Sequence, residues 1–219
     1  MSDTAEQGFR LAEPVLVCRW RLAGRHVPLL NRHMRALSQR RVQGEPLTMN
    51  LLGWVKQHIE WALAEDPSAI GDGVLMLVVD ERGRAAMSTG VYEPLADASL
   101  AALATRAQTA QVEATQLAVA PEALCIASGG EVVIGVPEDA TAAGAVSLVE
   151  QLAQTRGARV TRDPALPFRA LAGMMGGAAF LVSDEHGVVA AEDATGEARD
   201  AEVVAFLIES FEKLRDTIR

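Results

Sequence analysis

The stretch GGEVVIGVPEDATAAGAVSLVEQLAQTRGARV, residues 129–160, changes its pattern three times and fixes how the second half of the chain reads. Ser128-Gly129-Gly130 separates two short apolar runs, 123–127 and 132–136. Paired glycines take the positive φ of a tight hairpin loop without steric cost, so these runs are predicted to pair as a hairpin. Thr141 then opens a helix reaching about residue 156. Gly157 ends it as the residue just past the last turn. Residues 159–161 return to a short strand.

Working outward from there, residues 178–183 and 188–191 read as a further hairpin. Residues 197–219 read as a long amphipathic helix with Val203, Val204, Phe206, Leu207, Phe211 and Leu214 on its apolar stripe. The Pro- and Gly-bearing stretch 164–177 reads as irregular. Toward the N-terminus, 14–22 is a predicted strand, Gly24 a turn and 31–42 a helix. Thr48 is placed to cap a second helix over 49–65, which Asp66-Pro67 ends. Residues 74–79 and 84–89 form a hairpin around the turn 80–83. The Ala-rich run ASLAALATRAQTAQ lies within 93–121, read as a linker or a helix. The predicted organisation is α+β: a tail at 1–13, a small α+β unit at 14–92, the 93–121 segment, and a second α/β unit at 122–219.

The net charge of −9, with no basic run, argues against a nucleic-acid partner. No apolar run reaches the roughly 18 residues of a membrane span, and residues 1–7 lack the apolar segment of a leader. The chain therefore reads as cytoplasmic, with no membrane partner. Cys18 and Cys125 form no CxxC pair, and His26, His33, His58 and His186 are scattered, so no metal site is predicted. No dinucleotide or Walker loop occurs.

Several segments resemble one family in order and spacing. VPLLNRHMRAL (27–37) is similar to a Leu-x-x-His-x-x-Arg-Leu segment through Leu30, His33 and Leu37. GVLMLVVDERGR (73–84), the 129–160 stretch and AAFLVSDEHGVVAAEDATG (178–196) follow in the same order. The chain thus resembles class IV aminotransferases and aminodeoxychorismate lyases, the fold-type IV PLP enzymes. The resemblance implies their two-unit fold, here truncated, with a cleft between the units, and a homodimer. It also implies losses. The family's mid-chain lysine has no counterpart, because the only lysines are Lys56 and Lys213. Its phosphate-binding arginine falls on Ala36, with Arg35 about 100° away round the helix. The arginine of its Gly-Ile-x-Arg turn falls on Ser147, although Gly144 is kept. A phosphate can still be imagined at that helix N-terminus. Glu113, in Val112-Glu113-Ala114-Thr115, is similar to the glutamate that faces the cofactor's ring nitrogen.

With the lysine gone, no cofactor is expected. The candidate catalytic residues are His33 and Glu113. Arg19, Arg21, Gly144 and Ser183 are candidates for binding substrate, the two arginines sharing a strand face by their period of two. Each has a plain structural counterpart: a surface charge for Glu113, surface ion pairs for the arginines. Residues 183–186 combined with His33 or Cys125 offer a nucleophile–base arrangement. The GMMGG run at 173–177 offers a close backbone approach for a ligand. The expected function is a repurposed, PLP-independent enzyme acting on a small amino- or carboxylate-bearing metabolite in specialised metabolism. The alternative is a non-catalytic pseudoenzyme serving as a ligand-binding or partner subunit.

Overall fold

The computed structural model describes residues 10–65 and 70–217. Its elements run β1 (Pro14–Leu22), α1 (Leu30–Leu37), β2 (Arg41–Val42), β3 (Glu45–Pro46), α2 (Met49–Glu65), β4 (Gly73–Asp80), β5 (Ala85–Gly90) and α3 (Leu100–Leu117). The second half continues with β6 (Glu122–Ser128), β7 (Glu131–Ile134), α4 (Gly144–Thr155), β8 (Arg159–Arg162), α5 (Leu166–Leu171), β9 (Ala178–Ser183), β10 (Gly187–Ala190) and α6 (Ala198–Thr217). The predicted stop at Asp66-Pro67, most of the N-terminal tail and the last two residues of the terminal helix lie outside the described residues.

Strand alternation builds the first sheet, an antiparallel β1-β4-β5. Leu16, Cys18, Trp20 and Leu22 of β1 face inward onto Val55 and Ile59 of α2, while Val17, Arg19 and Arg21 take the opposite face. Thr48 caps α2 as expected, its hydroxyl accepting from the Leu51 amide at 3.2 Å. The helix predicted over 31–42 is shorter. It stops at Leu37, and residues 41–46 form a small hairpin instead, with Gln43 and Gly44 both at positive φ.

The second sheet has the order β10-β9-β6-β7-β8, with β7 and β8 parallel and the other pairs antiparallel. It is covered on both faces. Leu124, Ile126, Ala179 and Leu181 pack with Leu103, Ala104 and Ala107 of α3 and with α5. Cys125, Phe180 and Val182 pack with α4 and α6. Two-sided burial explains why β6 and β9 are apolar without alternation. Gly129 and Gly130 both have positive φ at the hairpin tip, as the sequence demanded. Residues 164–177 are not wholly irregular, since α5 starts on Pro167 in its first turn, where proline costs no hydrogen bond. The undecided 93–121 segment holds α3, which lies against the five-stranded sheet.

Candidate active site

The cavity of interest, about 420 Å3, opens between β1, α3 and the loop joining β9 to β10. From β1 come Val17 and Arg19. From α3 come Thr105, Arg106, Thr109, Ala110 and Glu113, which recur at helical spacing and so share one face. The start of β6 adds Glu122, and the loop adds Ser183, Asp184 and Glu185. Asp184 directs its carboxylate into a buried cluster behind the wall, so three carboxylates meet two guanidiniums in the cavity, and both guanidiniums are already engaged. Arg19 grips Glu185 with two bonds of 2.6 and 2.8 Å, which raises the arginine's pKa. Arg106 grips Glu122 in the same way, at 3.0 and 2.6 Å. Glu113 is less fully matched. Its one cationic partner among the described residues, the buried Arg40, stands 3.4 Å away, and burial pushes the Glu113 carboxyl above its ordinary value against that arginine's pull.

Behind the cavity wall lies a shut cluster. Asp184 accepts the Ala145 amide of the first turn of α4 at 2.7 Å and stands 3.4 Å from the His33 ring. Burial alone would raise its pKa. The His33 ring, the Ala145 amide and Arg40 outweigh burial and hold the carboxyl below its usual value. His33 is 3% exposed, stacks on Trp20 at 5.3 Å, and presses on Gly144 so closely that a Cβ there would overlap the ring. Its Nδ1 makes no well-formed hydrogen bond among the described residues. Ala36 is buried in the apolar contact between α1 and α4. The Ser147 hydroxyl donates to Gly144 O and accepts from Arg32, whose guanidinium also reaches Gln151.

The structure therefore divides the sequence candidates. Arg19, Glu113 and Ser183 line the cavity. His33 and Gly144 sit in the shut cluster, so Gly144 is required by the His33 ring. Arg21 shares the strand face of Arg19 but leaves the cavity to lie over Tyr92, its Cζ 3.4 Å from the ring centroid. Ser183 donates to Glu122 at 2.9 Å and accepts the Glu185 and His186 amides, which fixes the loop. Cys125 is fully buried with its thiol pKa pushed up by burial, and Cys18 is likewise pushed up to about 11, so neither thiol is an available nucleophile. Gly177 faces Ala127 O too closely for any side chain, so the GMMGG run serves packing there. Sequence reading missed Arg40, Arg106 and Glu122, and named Glu185 only as part of the 183–186 loop. The spacing of Arg106, Ala110 and Glu113 was a usable signal for a shared face; Arg40 gave none, since arginine is ordinarily exposed. Among the described residues no cluster of His, Cys, Asp and Glu is set to hold a metal, and no helix is long and apolar enough to cross a membrane.

With this geometry the comparisons have a definite meaning. No family model matches the chain, and no curated protein matches it in sequence. Solved structures do. One is a hypothetical aminotransferase from Mycobacterium tuberculosis in its PLP-bound form, 12% identical with a TM-score of 0.59, covering 95% of this chain and 96% of that one. Another is 4-amino-4-deoxychorismate lyase from Pseudomonas aeruginosa, 14% identical with a TM-score of 0.58, covering 97% of each chain. A third is a fold IV-transaminase from Curtobacterium pusillum, 13% identical with a TM-score of 0.57, covering 100% and 92%. The fold is class IV aminotransferase-like, the two-unit α+β arrangement of those aminotransferases and that lyase. At such identities the likeness establishes the fold and leaves the chemistry to the site.

Proposed function

We propose that this chain is a repurposed, PLP-independent enzyme of aminotransferase-like fold that acts on a small amino-bearing metabolite held between β1, α3 and the β9–β10 loop. The observation that carries this is the open cavity in which carboxylates outnumber guanidiniums, with both guanidiniums already bound bidentately and no lysine on the lining. Such a wall attracts an ammonium group and repels a free carboxylate. No carboxylate-binding role in this cavity is accordingly proposed for Arg19 or Arg21. Arg19 is held by Glu185, and Arg21 lies elsewhere.

The α4 N-terminus supports PLP independence. A phosphate placed there would meet the buried Asp184 carboxylate, which already takes the Ala145 amide. The arginine that would bind it is replaced by Ala36, in the apolar core. Lys56 lies on the exposed side of α2, 3.8 Å from Glu60, and Lys213 is exposed on α6. These residues do not fit the cofactor, and no step is routed through it. The chemistry left to the cavity is acid–base. Glu113 has a raised pKa, as a group that exchanges a proton with bound ligand needs.

A second reading, a ligand-binding pseudoenzyme, is favoured by one observation: the Ser183 hydroxyl and Cys125 thiol are both withdrawn from nucleophilic use. Two measurements test the proposal. PLP titration followed by absorbance, borohydride reduction and mass spectrometry is expected to give no lysine adduct; an adduct at Lys56 or Lys213 overturns PLP independence. Titration with putrescine is expected to show binding that weakens in E113Q, and acetate is not expected to compete with it. Binding of acetate and not of the amine overturns the substrate class. Product formation in amine-metabolite mixtures then separates the enzyme from the pseudoenzyme.

A further inference from the structure

Glu185 also borders a second, smaller hollow of about 60 Å3, lined by Arg21, Tyr92, His186, Phe211, Glu212 and Arg215 among others. The Arg21 guanidinium lies flat over Tyr92, and its Nε and Nη1 are buried without a hydrogen-bond partner among the described residues. Guanidinium donors left unpaired in a buried setting are costly, and an arginine fork held flat on a ring is preformed for two parallel bonds to an oxyanion. A second guanidinium, Arg215 of α6, borders the same hollow, with its Nε donating to Asp216 at 2.9 Å. Burial lowers the Arg21 pKa, and Arg215 pushes it the same way against the pull of Tyr92, Asp72 and Glu185. Among the described residues neither lining carboxylate hydrogen-bonds Arg21 Nε or Nη1, although Glu185 and Asp72 act on its charge. Glu185 is held by Arg19, and Glu212 is exposed on α6. His186 is tilted against Tyr92, with Nδ1 3.5 Å from the phenol oxygen, and burial lowers its pKa. Its Nε2 stands 3.9 Å from Glu185.

We propose that this hollow is a second ligand site, distinct from the amine cavity, which takes a single small oxyanion group: a free phosphate, or the phosphate or carboxylate end of a ligand. The volume suits one such group and not a whole metabolite. Arg21 supplies the fork, Tyr92 holds it flat, and Arg215 adds the second positive charge.

The test is thermal unfolding of the full chain at constant ionic strength, with chloride replaced stepwise by phosphate, methyl phosphate or acetate. A rise in Tm with oxyanion over chloride is expected, and the salt giving the largest rise identifies the group. R21Q should abolish the rise, and R215Q should weaken the apparent affinity by roughly tenfold, as loss of a charge-assisted contact does. E113Q should retain it in full. R215Q changes a partly exposed helix position and remains informative if R21Q fails to fold. No rise with any of the three salts overturns the proposal, as does a rise kept unchanged in R215Q and any folded R21Q. A rise lost in E113Q alone places the anion in the larger cavity and also overturns it.

Discussion

Asp184 and Glu185 are adjacent in one loop and serve opposite purposes. Asp184 enters a shut cluster in which the Ala145 amide, His33 and Arg40 surround its charge. Glu185 stays at the wall of an open cavity, held by the half-exposed Arg19. A buried charge survives only when its surroundings match it closely, so the first region is completed by the protein itself. The second region keeps an excess of carboxylate within reach of solvent, and that excess is what a cationic ligand can meet. One loop thus carries a carboxylate whose surroundings are closed and, next to it, one that stays at an open wall.

The sharpest way to break this comparison is at Asp184. D184A leaves His33 and the α4 amide without their carboxylate and removes a charge that Arg40 also feels, and removing one partner of a buried pair costs about 3–5 kcal/mol. Urea denaturation should show that loss; a change below about 1 kcal/mol would mean the cluster does not depend on the carboxylate. The acid limb of stability follows from the same group. Its folded-state pKa is below the unfolded value of about 4, so its contribution is complete above that value and drains as pH falls through the depressed one. D184N should flatten that limb.

Gly144 comes next. A Cβ there overlaps the His33 ring, so G144A should cost about 1–3 kcal/mol through overpacking. In a double-mutant cycle with H33A the two losses should fall short of additive; strict additivity would show that the ring is not the obstacle. For the open region, E113Q should leave the urea midpoint nearly unchanged while weakening amine binding about tenfold. Binding by the parent chain should also weaken as pH falls through the raised Glu113 pKa, because protonation there removes a negative charge from the wall. A pH-independent affinity would take Glu113 out of the site. The smallest effect belongs to R19Q. Half of that arginine side chain is exposed, so loss of its pair with Glu185 should cost under about 1 kcal/mol, measured by the same denaturation.

Local pattern determined much of the fold. Thr48 before an apolar-periodic run gave the α2 cap, and Gly129-Gly130 gave the β6–β7 hairpin. The apolar runs 123–127 and 178–183 gave strands, and the structure shows that their sheet is buried on both faces. Two local signals carried more than the sequence reading drew from them: Pro167 lies in a stretch read as irregular although proline also opens helices, and Gln43-Gly44, just past the end expected for the 31–42 helix, is the turn of a hairpin. For the site, Glu113, Arg19 and Ser183 were named from sequence and share the cavity. His33, Gly144 and Arg21 were named with them and lie apart from it.

By itself the sequence determined the order of elements, the class of fold and the scarcity of lysine, because these depend on period, turn chemistry and composition along the chain. The tertiary structure alone decided which charges meet. Arg19 and Arg21 are two residues apart on one strand face, yet one meets Glu185 and the other lies on Tyr92, because different distant segments pack over each. Arg40 is buried because Asp184 and Glu113, distant in sequence, come to lie beside it, and no local pattern encodes that encounter.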